Sequence, residues 1–163
     1  MSSQLSRAAF AFAVTCGVAC WAVGLPARAD DKTGIRVSTE MKWQEGPAAL
    51  PPGAKIAILE GDLGKPGPFT YRLKLPDGYK IPPHTHNTAE HLTVISGTYH
   101  LGEGEKFDKD QAKTLPTGSY ASWPAGTPHF SWTEGDTVIQ VHGEGPWVLK
   151  YVHSEDDPRK NNK

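Results

Sequence analysis

Cysteine is all but missing from this chain. The only two, Cys16 and Cys20, lie in an uncharged stretch near the N-terminus, and that stretch reads as a secretory signal. Arg7 supplies the positive start, residues 8–25 the apolar run, Pro26 the break, and Ala27-Arg28-Ala29 the small-residue ending for cleavage after Ala29. The rival reading is an uncleaved anchor, because the same run reaches the short end of a membrane span. Cleavage would leave a mature chain that starts at Asp30 and holds no cysteine. Disulfide staples, thiolate metal sites and a cysteine nucleophile are then excluded. An exported fold must instead be held by its core, a metal or a partner. The expected setting is periplasmic or secreted, with no membrane contact after cleavage.

Charge of one sign is lacking too. Lys and Arg number 17 against 18 Asp and Glu, and losing Arg7 and Arg28 with the signal leaves a net charge of about −3. No basic stripe precedes the last residues, so nucleic acid is not an expected partner. Helical periodicity is scarce, and only Lys106–Lys113 allows a turn or two. There is no solenoid-period repeat and no Ser-His-Asp order.

Glycine and proline are plentiful, at 17 and 14 residues. They punctuate the chain at Leu50-Pro51-Pro52-Gly53, Gly64–Pro68, Pro76-Asp77-Gly78 and Pro124–Pro128. Short stretches of strand character lie between them. In Phe69–Leu75 the residues Phe69, Tyr71, Leu73 and Leu75 share one face, and Thr70, Arg72 and Lys74 the other. Further strands are expected at Lys55–Glu60, His91–Ile95, Thr98–Leu101, Ser119–Trp123, His129–Thr133, Thr137–His142 and Val148–Val152. This spacing predicts an all-β antiparallel sandwich or barrel. Residues 30–49 read as an N-terminal leader and strand segment, 50–152 as the barrel, and 153–163 as a disordered tail.

Seven histidines stand in the chain, and their placement is uneven. His84 and His86 are two apart, so on a strand they share a face. Glu90 has the same parity, and a closing strand could add His129. Three neutral imidazoles and one carboxylate suit a transition ion better than calcium or magnesium. His91 has the opposite parity to Glu90 and is expected to face outward. His100 and His153 read as surface residues.

Two segments carry a resemblance. Gly78, His84, His86, Glu90 and Gly97 match every position of the first motif of the cupin superfamily, and Gly118, Pro124, Gly126 and His129 match its second. Only Thr133 departs, standing where the motif has asparagine. The chain most resembles small secreted bacterial single-domain cupins. The resemblance implies a double-stranded β-helix, the cupin-type jelly-roll barrel. It also implies one divalent metal (Zn, Mn or Fe) ligated by His84, His86, Glu90 and His129, with two positions left for a small-molecule ligand.

Cupins with such sites include dioxygenases, lyases and isomerases, and also receptors and sensor modules. An enzyme and a non-catalytic binding module are therefore both open, with Glu90 the candidate catalytic group. Ser131, Gln140 and His142 are candidates for substrate contact, against an outward polar face as the plain alternative for Gln140 and His142. Phe130 and Trp132 are expected on the barrel's outside, covered by the segment around Trp43 or by the second copy of a homodimer. Acid should release the metal near pH 6, the ordinary imidazole value.

Overall fold

The computed structural model describes residues 34–160. The signal assigned to 1–29 and the last three residues lie outside them. Nine antiparallel strands follow one another: β1 (Gln44–Glu45), β2 (Lys55–Glu60), β3 (Gly67–Leu75), β4 (Lys80–His86), β5 (Glu90–Glu103), β6 (Ala112–Pro116), β7 (Tyr120–Trp123), β8 (His129–Gly145) and β9 (Leu149–Tyr151). Hydrogen bonds connect them in the order β1-β2-β3-β8-β4-β9, and β5 pairs with β6, β7 and β8. The sheet curls on itself as an all-β jelly-roll barrel. Among the described residues the helical segments are short 3-10 turns, and no helix is long and apolar enough to cross a membrane.

The alternation read in Phe69–Leu75 holds. Phe69, Tyr71, Leu73 and Leu75 are buried and pack with Leu92, Val94, Ile139 and Val141 in one core cluster. Other elements differ from expectation. The stretches His91–Ile95 and Thr98–Leu101 form the single strand β5, and β8 likewise spans two expected strands. Gly97, which lies between two of the expected strands, sits inside β5, where the register with β8 slips on either side of Ser96. Its φ of +83° is a bulge conformation. Strand β4 was hidden by Pro82-Pro83. The two prolines donate no ladder hydrogen bond, and the register with β8 breaks between Ile81 and His84.

Thr133 takes up a definite task. Its hydroxyl donates to the Pro76 carbonyl at 2.6 Å and accepts the Tyr79 backbone N–H at 2.9 Å, while its own N–H donates to the Tyr79 carbonyl at 3.0 Å. It thus clamps the turn that leads into β4. Thr133→Val keeps the shape and removes both hydroxyl contacts, leaving a buried N–H to find another acceptor. We expect a loss of about 1–3 kcal/mol, readable as a lower urea midpoint at unchanged slope. An unchanged midpoint would show that the clamp is dispensable.

Two expectations about the surface are corrected. Phe130 is fully buried, and neither the Trp43 segment nor a second copy is needed to cover it. Phe107 lies 4.9 Å from the Phe130 ring and 5.6 Å from Trp132. His100 stacks on Trp132 at 4.5 Å, and the Lys109 ammonium sits 5.2 Å above the same ring. The 104–111 connection therefore supplies the cover locally. Trp43 instead meets the Lys74 ammonium. Residues 154–160, expected within a disordered tail, form two 3-10 turns, and Arg159 bonds both Asp157 and the Leu149 carbonyl.

Candidate metal centre

Strand β4 presents His84 and His86 inward, and the start of β8 brings His129 opposite His84 in the ladder. All three are buried. One ring nitrogen from each can be chosen so that the three lie within 4.8 Å of one another. The ring centroids are 4.2 Å apart for His84 and His129, 5.0 Å for His84 and His86, and 5.3 Å for His86 and His129.

Backbone carbonyls orient two of these rings. His84 Nδ1 is 2.7 Å from the Pro82 oxygen, and His129 Nδ1 is 2.9 Å from the Thr127 oxygen. A carbonyl only accepts, so each Nδ1 carries the proton and each Nε2 keeps a bare lone pair. This arrangement commonly backs a metal ligand.

Glu90 heads β5 and is equally buried. Its Oε2 stands 3.4 Å from His86 Nε2. The Trp147 indole N–H donates to its other oxygen. Trp147 carried no motif, and sequence reasoning missed it. The Asn87 side chain pins its loop, donating to the Pro146 carbonyl at 2.8 Å and accepting the Val148 N–H at 2.7 Å. The converging histidines fit a divalent transition ion, with Glu90 beside them as a further donor.

The remaining candidates fall elsewhere. Gln140 faces outward and accepts from Arg72 Nε at 3.0 Å. His142 is exposed and stacks on His91 at 4.9 Å. Their inward neighbours Ile139 and Val141 fill the core, so strand alternation turns both polar residues away. Ser131 shares the inward parity of His129 and is fully buried, but it does not line the chamber around the histidines. His91 faces outward as expected and meets the Tyr120 hydroxyl at 2.6 Å.

Burial sets the proton chemistry. It pushes His84 well below the ordinary imidazole range, aided by His129 and His86. It lowers His86 to about 3, with His129 adding to the effect, and His129 to about 4 against the opposing Thr127 contact. It raises Glu90 to about 7, with the Trp147 N–H opposing. In the metal-free protein the imidazoles are therefore neutral in mildly acid solution, and protons compete for His129 only near pH 4 rather than at the ordinary imidazole value.

The unfolded chain takes up protons on these imidazoles from about pH 6.5 downward, whereas folded His129 does so only near 4. Metal-free stability should accordingly fall as pH drops through that window. Glu90 acts in the opposite sense: its folded form holds a proton that the unfolded form has released, so it costs stability as pH rises from 4.5 to about 7. Each metal ion bound between about pH 5 and 6 should release close to one proton, from Glu90, falling to about half a proton at pH 7. Calorimetry in buffers of different ionisation enthalpy measures this. A value near zero would remove Glu90 from the ligand set.

An antiparallel jelly roll with three inward histidines gives the protein a cupin-type fold. Its sequence matches the family described as "Domain of unknown function (DUF4437)" over residues 35–162, and the chain belongs to that family. No curated protein sequence matches it. Among solved structures, the polyketide cyclase RemF from Streptomyces resistomycificus is similar at TM-score 0.60 and 18% identity, over 79% of this chain and 92% of that one. An RmlC-like cupin from Shewanella frigidimarina NCIMB 400 is similar at 0.54 and 12%, over 69% and 91%. An oxalate oxidase is similar at 0.52 and 20%, over 78% and 68%. These likenesses establish the fold.

Proposed function

We propose that the protein is an exported metal-dependent enzyme that acts on a small molecule at His84, His86, Glu90 and His129. The observation that carries this reading is the pair of carbonyl-backed imidazoles. Pro82 and Thr127 hold two Nδ1 protons so that both Nε2 lone pairs stay free inside the barrel. A bound divalent ion would supply charge to polarise an oxygen-bearing substrate. The protein's share is a buried chamber and the Glu90 carboxylate, which stands 3.4 Å from His86 Nε2 as a group that can handle protons. The fold's neighbours include a polyketide cyclase and an oxalate oxidase, which supports an enzyme over a sensor.

Export unfolded would place metal acquisition outside the cytoplasm, where zinc and copper outcompete manganese and iron for such donors. We expect stoichiometric zinc in protein isolated from its native compartment, measured by elemental analysis. Iron or manganese without zinc would overturn that expectation. Turnover tests the enzyme reading, with oxygen uptake and product analysis against diols, catechols and small carboxylates. Saturable binding without turnover would make the protein a binding module instead.

A further inference from the structure

The chamber at the histidines has room for only about 30 Å³, roughly one water or one ion. A substrate body must sit elsewhere. A groove of about 510 Å³ lies beside it, bounded by the end of β5, by β6 and by β7. That volume falls within the ordinary range for small-molecule sites. Trp123 and His129 line both spaces, so a molecule in the groove abuts the imidazole cluster. Trp123 is buried, and its indole N–H has no partner among the described residues. The ring is held by packing, 4.3 Å from His129, and no hydrogen bond locks it between the two spaces.

The lining also includes apolar Leu101 and Leu115, polar Gln111 and Ser122, and charged Glu103 and Lys113. Both charged residues are exposed, and neither forms an ion pair among the described residues. Their order matters. Glu103 stands opposite His129 in the β5–β8 ladder, at the end nearest the histidines. Lys113 stands opposite Leu101, two residues further along β5.

We infer that this groove is the substrate site and takes a small hydroxylated carboxylate with an apolar body the size of one ring. Lys113 binds the carboxylate, Leu101 and Leu115 cover the body, and Glu103 accepts a hydrogen bond from the hydroxyl beside His129. The reverse orientation would bring two carboxylates together at Glu103. An amine in place of the hydroxyl would face a divalent cation. The orientation rests on the metal-centre reading above; the anion contact at Lys113 does not.

Calorimetric titration of the purified protein with 4-hydroxybenzoate and its neutral amide, in zinc-loaded and EDTA-dialysed forms, tests this. The acid should bind saturably, and the amide about two- to fivefold more weakly. Lys113→Ala should weaken the acid about two- to fivefold and leave the amide unchanged, whereas Lys113→Arg should retain acid binding. Glu103→Gln should weaken 4-hydroxybenzoate more than benzoate. Equal affinities for acid and amide, an indifferent Lys113→Ala variant, or no saturable binding would overturn the assignment. Zinc uptake with Lys113-indifferent binding would sink the groove and spare the metal centre. Lys113-dependent binding in protein that takes up no zinc would do the reverse.

Discussion

His129→Ala is expected to abolish stoichiometric zinc binding. His84 and His86 both project from β4, two residues apart, and His129 is the donor that closes the cluster from β8. Loss of a partner that merely orients a ligand already weakens metal binding by about 10–100-fold, so loss of the ligand itself should exceed that range. Competition against a chromogenic chelator gives the affinity. Thermal unfolding with and without zinc gives a second readout, because an ion that binds only the folded state raises its stability. The parent protein should melt higher with zinc, and the variant should not respond. His91→Ala is the matched control. Its ring faces outward, stacked on His142, and zinc affinity should not change. A His129→Ala variant that held zinc within about threefold of the parent would remove the histidine cluster as the metal centre.

Gly97→Ala should be the most damaging of the motif glycine substitutions. The backbone there has φ +83°, and a Cβ would meet the Asp136 carbonyl, the Thr137 hydroxyl and, at 2.8 Å, the Thr137 Cα. A non-glycine residue in the left-handed region costs about 1–2 kcal/mol, and overpacking against fixed backbone adds about 1–3 kcal/mol. The sum is a large share of the roughly 5–15 kcal/mol that holds a domain folded. Gly78 and Gly118 share the positive φ, at 67° and 88°, but a Cβ at either meets nothing within 4 Å. Their alanine variants should show only the smaller, conformational loss. Urea midpoints for the three variants decide the matter. Equal losses at Gly97 and Gly118 would mean that the β5 bulge relaxes around the methyl group.

Legibility followed the range of the interaction. The face of Phe69–Leu75, the shared side of His84 and His86 and the outward turn of His91 could all be read, because side-chain direction on a strand alternates whatever the neighbours are. The same alternation argued against Gln140 and His142, since Ile139 and Val141 already claim the core. Strand β4 was obscured because proline depresses local strand propensity, although an irregular ladder accommodates it. Phe107 over Phe130 and Trp147 against Glu90 had no readable signal, because each sits in a connection whose path depends on distant strands.

The sequence by itself determined the alternation along each strand, the glycine-marked turns and the set of residues able to ligate a metal. Those properties follow from covalent geometry and side-chain chemistry within a few positions. Tertiary structure decided the rest: that His129 faces His84 across forty-odd residues, that Glu90 reaches His86 under the Trp147 indole, and that Lys113 and Glu103 share a groove with His129. Such meetings depend on ladder register and loop path, which the packing of the whole barrel sets and no local pattern encodes.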